Sequence, residues 1–181
     1  NKKNYIDEDQ LKKITSKFFS NHGFYEIKTN SLIASSLANK YKINNSISIL
    51  NASSQDMDVL RTSTLFGGLE SVKYNLNRQN NNLLFFEFGN IYFQENEMIE
   101  KSSLDLFLTG NTCDENWNQK SQKIDIFYVK GFMEKFFDLC SLNLKIDNEG
   151  FLFNKNHDLK QIYSQYFNFK LIYLDVVINL I

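Results

Sequence analysis

Leu83-Leu84-Phe85-Phe86-Glu87-Phe88-Gly89-Asn90-Ile91-Tyr92-Phe93, residues 83–93, carries the reading of the fold. Aromatic and aliphatic side chains of this kind fit a pleated surface, and the run is too apolar to leave one face fully wet. It predicts a strand buried in part on both faces. Shortly downstream Leu104, Leu106 and Leu108 alternate at the period of a second strand. Strands this close in sequence are expected to pair antiparallel. Glu87 is the anomaly in the run. A carboxylate in an apolar strand needs a partner, because burying it alone is costly. Three readings are open for it: a structural pair with Arg61, which is the favoured one, a solvent-facing side chain, or a catalytic acid.

Helices are expected on either side of this pair. After it, Asp125 can cap a helix whose Val129, Phe132, Met133, Phe136, Phe137 and Cys140 follow helical spacing. Gly131 inside that helix costs stability unless another backbone comes close. Before it, Leu65, Leu69, Val72 and Leu76 share one face of a helix running to about Arg78. Gly67-Gly68 near its start point to a close backbone approach. Near the beginning, Asp7 can cap a helix striped by Ile6, Leu11, Ile14, Phe18 and Phe19. Asn21-His22-Gly23 ends it, with Gly23 suited to a left-handed cap. Phe24 to Lys28 then reads as a strand, Ser31 to Tyr41 as a short helix and Ser46 to Leu50 as a strand. A turn-rich stretch spans Asn51 to Asp58. Leu144 to Ile146 and Lys170 to Ile178 are predicted strands, with a short helix over Asp158 to Tyr166. The whole, residues 1–181, reads as one α+β domain: an antiparallel sheet flanked by helices.

The totals narrow the function. The chain has 181 residues, 43% hydrophobic and 15% aromatic, enough for a sizeable core. A formal net charge of −1 argues against a nucleic-acid binder relying on a cationic surface. Cys113 and Cys140 form no metal or redox spacing and read as free thiols of a reducing cytoplasm. No apolar run approaches the ~18 residues of a membrane span, and no signal peptide is visible. The polar start and apolar ending read as the bounds of a piece of a longer protein. Proline is absent while Asn, Lys, Ile, Phe and Tyr abound, which reads as the codon bias of an AT-rich genome.

Several stretches in order carry a resemblance. They are Gly23-Phe24-Tyr25-Glu26-Ile27, Ile49-Leu50-Asn51-Ala52-Ser53-Ser54, Leu60-Arg61-Thr62-Ser63-Thr64-Leu65 and Asn75-Leu76-Asn77-Arg78. Phe86-Glu87-Phe88-Gly89-Asn90-Ile91-Tyr92-Phe93, Asn116-Trp117 and Asp125-Ile126-Phe127-Tyr128-Val129-Lys130-Gly131 follow. Together, over roughly residues 5 to 145, they resemble the catalytic-like module of the bacterial phenylalanyl-tRNA synthetase β-subunit family. Ala52 stands where the family has proline, Ile126 and Tyr128 depart from its helix pattern, and a glycine-bearing segment expected near His157 is not clear.

The resemblance implies a class II aminoacyl-tRNA synthetase-like fold, of the biotin/lipoate-ligase-like superfamily, without the chemistry. It implies a cytoplasmic α2β2 heterotetramer whose α subunit holds the active site with ATP and Mg2+, and which meets tRNA as an assembly. No cofactor is expected in this domain. Residues 7 to 30, including Phe24 and Glu26, would lie at a subunit interface. A surface built for another subunit can also self-pair as a homodimer.

Catalysis would need cations. Adenylate formation gathers charge on the α-phosphate, and fixed positive charge there is the largest catalytic term. By the resemblance, an active enzyme has arginine where this chain has Phe93. The only arginines are Arg61 and Arg78, and lysine substitutes poorly where planar two-point geometry is needed. No phosphate-binding Gly-rich loop is present. Lys130 reads as a solvated lysine or as a contact to RNA or a partner. Trp117 reads as an interface anchor or a loop plug. The expected function is therefore a silent scaffold that docks the α subunit. The rivals are an active ATP-dependent ligase on another substrate and an RNA-binding module.

Overall fold

Two long strands, β5 (Leu83–Gln94) and β6 (Met98–Thr109), form the spine of the molecule. They pair antiparallel from Leu83↔Thr109 to Gln94↔Met98, as the sequence led us to expect. The computed structural model describes residues 8–112, 117–118, 120–139, 144–146, 152–154 and 168–173. The outer strands depart from the expectation of an antiparallel sheet. β1 (Tyr25–Glu26) runs parallel to β5, and β9 (Asn168–Tyr173) runs parallel to β6. The order β1-β5-β6-β9 is thus a mixed sheet. Parallel neighbours need long crossovers, and the chain supplies them through helices rather than hairpins.

Alternation along β5 and β6 divides the core in two. Even-numbered Leu84, Phe86, Leu104, Leu106 and Leu108 meet α1 (Glu8–Asn21) and α4 (Ile126–Leu139). Phe19, Phe24, Phe132 and Phe136 interlock there, with ring centroids 4.8–5.6 Å apart. Odd-numbered Leu83, Phe85 and Phe107 meet Val72, Leu65, Leu69 and Leu76 of α3 (Leu65–Leu76).

Local chemistry sets the helix ends. In α4 the Tyr128 amide donates to Asp125 Oδ1 at 2.7 Å, a side-chain N-cap. In α1 the chain reverses at Gly23, whose φ of +84° lies in the left-handed region, while the Phe24 amide donates to Phe19 O. The buried line of α1 is Leu11, Thr15 and Phe19; Ile14, expected in the stripe, faces out. The Thr15 hydroxyl is reconciled with burial by donating to Leu11 O at 2.7 Å.

Glycines in α3 and α4 differ. A β-carbon on Gly68 would strike the Phe107 ring, and one on Gly67 would press on Thr29. The close approach expected there is real, but it is made by side chains rather than by a neighbouring backbone. No described atom lies within 4 Å of where a β-carbon on Gly131 would stand.

The stretch read as one helix over residues 31–41 is a short strand, β2 (Leu32–Ile33), followed by α2 (Ser35–Lys40). The Ser35 amide at the start of α2 donates to Asp58 Oδ1. β2, β4 (Val59–Leu60) and β3 (Ile47–Ser48) form a small antiparallel sheet in the order β2-β4-β3. It is seamed to the far end of β5 by Tyr92 N donating to Arg61 O and Gln94 N donating to Asn45 O. β7 (Leu144–Ile146) and β8 (Leu152–Asn154) pair antiparallel. The expected helix over 158–166, the cap at Asp7, Ile6, Cys113 and Cys140 lie outside the described residues.

Candidate functional site

The most concentrated chemistry among the described residues is a buried polar cluster on the odd face of the central sheet, just beyond α3. β5 presents Glu87 and β6 presents Asp105 directly opposite it. Arg61, immediately after β4, reaches across both layers. Its Nη1 lies 2.9 Å from Glu87 Oε1, and the two side chains are 1% and 0% exposed. Arg61 Nε donates to Asn90 O at 2.9 Å. Thr29 completes the pair from the third side: its amide and hydroxyl donate to Glu87, and its hydroxyl accepts from Arg61 Nη1 at 2.8 Å. Asp105 accepts from the Thr64 hydroxyl and, at 2.8 Å, from the Ser103 hydroxyl.

Two carboxylates side by side in a sheet repel. Here a guanidinium is set against one and two hydroxyls against the other. Removing one partner of a buried pair of this kind costs about 3–5 kcal/mol, because the survivor is left charged and dry. The cluster joins the small sheet, the end of β1 and the central sheet at a single point. Gly89 is part of the arrangement, since a β-carbon there would overlap the Arg61 guanidinium. Arg61 and Glu87 are turned inward onto protein groups, and Arg61 Nη2 has no hydrogen-bond partner among the described residues.

Phe93 lies on the same face of β5, towards its far end. It is partly buried opposite Ile99, and the Lys101 ammonium sits 5.1 Å from its ring centre. No guanidinium stands near: Arg61 is committed inside, and Arg78 lies flat over the Tyr74 ring at 3.4 Å on the surface. The neighbouring Tyr92 has its hydroxyl pKa raised, first by burial and then by the Glu100 carboxylate that accepts from it. Among the described residues, no three His, Cys, Asp or Glu side chains converge as a metal ion would require.

The other residues singled out in the sequence are scattered. Phe24 stacks on Phe132 inside the core. Glu26 is exposed on β1. Trp117 is 97% exposed, so it plugs no loop. Lys130 and Gly131 are half-buried on α4, off the line of Val129, Phe132, Met133, Phe136 and Phe137. Thr29, Thr64 and Asp105 were not anticipated. Asp105 carries the same signal that betrayed Glu87: one acid inside the apolar run Leu104-Asp105-Leu106-Phe107-Leu108.

β1 is the sheet's outer strand on this side, and no described strand pairs with its far edge. Ile27 N donates to Phe86 O. Alternation therefore turns the Glu26 backbone groups away from β5 and outward. Tyr25, beside it, is 72% exposed. Among the described residues no helix is long and apolar enough to cross a membrane.

Comparison with known proteins gives a consistent result. Residues 2–158 match the family model described as the phenylalanyl tRNA synthetase beta chain CLM domain. The phenylalanine–tRNA ligase beta subunit of Bacteroides fragilis is 31% identical over 149 residues, covering 75% of this chain and 18% of that protein. That of Aster yellows witches'-broom phytoplasma is 35% identical over 129 residues, 71% of this chain and 15% of that protein. That of Buchnera aphidicola is 36% identical over 129 residues, 68% and 16% respectively. The chain thus spans less than a fifth of the length of these relatives.

Proposed function

Because the chain belongs to the phenylalanyl-tRNA synthetase β-chain CLM-domain family, we propose that it is a non-catalytic scaffold of a phenylalanine–tRNA ligase. In this reading it has a class II synthetase-like fold and docks the catalytic α subunit in a cytoplasmic α2β2 assembly. ATP and Mg2+ are handled by α, and tRNA is met by the assembly as a whole.

The observation that carries the reading is how the odd face of β5 and β6 is used. A sheet face that binds a triphosphate must present converging cations to open space. Here α3 covers one half of the face, and the only guanidinium on it is locked to Glu87. A phenyl ring occupies the strand end where an arginine would be needed, and it can neither neutralise phosphate nor donate to it. The unpaired outer edge of β1 and exposed Tyr25 support docking by strand addition, in which main-chain hydrogen bonds supply affinity.

The test is made on the assembled full-length enzyme. With the α active site disabled, pyrophosphate exchange driven by ATP, Mg2+ and phenylalanine falls to background. Residual Mg2+-dependent exchange that follows the β chain overturns the proposal and restores the ligase reading.

A further inference from the structure

Just past the end of β1, from Ile27 onward, runs a groove of about 910 Å3, bounded by α3 on one side and by β2 and α2 on the other. Its apolar lining includes Ile27, Leu32, Ile33, Leu37, Met57 and Phe66. Three charged residues border it: Lys28, Asp56 and Glu70. The Lys28 ammonium is already committed, donating to Phe88 O at 3.0 Å. Asp56 and Glu70 are exposed and form no ion pair with a described residue. The groove therefore has an apolar floor and a rim whose uncommitted charges are both negative.

We propose that this groove takes an extended segment of the docked α subunit that carries apolar side chains at alternate positions and an arginine or lysine for Asp56 and Glu70. The inference rests on the docking reading above and specifies the chemistry of the partner. The geometry fits strand addition. A strand laid along β1 would pair with the outward backbone groups of Glu26, and every second side chain would point to the α3 side of the sheet. That is the side on which Ile27 and Phe66 line the groove. A cation on the incoming strand would meet two carboxylates that have no ion-pair partner among the described residues. Charge of this kind at an interface rim governs partner choice and encounter rate more than total affinity.

The experiment uses the full-length β chain with its α partner, measuring assembly by sedimentation over a range of salt. The double substitution Asp56→Lys/Glu70→Lys is expected to weaken assembly about tenfold at low salt. The neutral pair Asp56→Asn/Glu70→Gln is expected to flatten the salt dependence without unfolding the chain, since both sites are exposed. Lys28→Pro removes an outward-facing edge amide and reports on strand addition itself, with its thermal unfolding compared to the parent. If Lys28→Pro abolishes assembly while charge reversal leaves affinity and salt dependence unchanged, the groove assignment is wrong and docking at β1 stands. If none of the three alters assembly, both fall.

Discussion

Arg61 and Gly89 share one volume: the Arg61 guanidinium lies where a β-carbon on residue 89 would project. A glycine in the middle of a strand forfeits packing and costs entropy. Here the missing side chain is what allows an arginine from another sheet to reach Glu87. Gly89→Ala is therefore expected to destabilise by about 1–3 kcal/mol in urea unfolding, as for other overpacked sites. Arg61→Met alone should cost about 3–5 kcal/mol. In the background Arg61→Met/Glu87→Leu the alanine penalty should shrink, and additivity of the three changes would contradict the shared-volume account.

Two helix glycines should respond with opposite signs. Gly68→Ala drives a methyl into the Phe107 ring, which belongs to the central sheet and is fully buried. A loss of about 1–3 kcal/mol is expected. Gly131→Ala meets no described atom within 4 Å and should gain about 0.5–1 kcal/mol from helix propensity alone. Thermal unfolding of the two variants gives the comparison directly.

The side-chain cap of α4 is a separable contribution. Asp125→Ala removes the acceptor for the Tyr128 amide and should cost about 1 kcal/mol. Asp125→Asn keeps an oxygen acceptor and should restore most of it. A loss as large for asparagine as for alanine would show that charge, not capping, is the operative quantity.

Tyr92 supplies a pH signature. Its hydroxyl pKa is raised in the folded chain, so the native state holds that proton more tightly than the unfolded state does. The resulting stability is fully present below the ordinary tyrosine value of about 10 and is lost as pH rises through the higher folded value. The denaturation midpoint should fall more steeply above about pH 10 in the parent than in Tyr92→Phe. Equal slopes would mean that neither burial nor Glu100 holds the proton on this hydroxyl.

Trp117 is the single tryptophan and stands almost wholly in solvent. Its fluorescence in the free protein should be freely quenched by acrylamide. Protection that appears only on adding the α subunit would put this loop under the partner, and unchanged quenching would leave it outside.

Much of this architecture was legible in the residues. The central hairpin announced itself through the apolar run at 83–93 and the alternation at Leu104, Leu106 and Leu108. α3 and α4 followed from helical spacing, and the Arg61–Glu87 pair from the cost of a lone carboxylate in such a strand. What stayed hidden has a physical reason. Strands of two residues, such as β2 and β4, are too short to show a period and exist because their neighbours complete their hydrogen bonds. Side-chain alternation is the same in parallel and antiparallel strands, so β1 against β5 left no trace in the pattern. Thr29 is an ordinary polar residue after a short strand, and only folding brings it to Glu87.

The parallel ladder between Ser103–Leu108 of β6 and Asn168–Tyr173 of β9 reaches past residue 158, where the family match stops. A chain trimmed to that similarity boundary would strip six consecutive ladder positions from β6. Leu104, Leu106, Phe107 and Leu108, all buried in the intact fold, would then flank a bare row of amides and carbonyls. Such an edge is a template for cross-β growth between molecules. The shortest version of this domain that stays monodisperse is therefore set by strand pairing and runs at least to Tyr173.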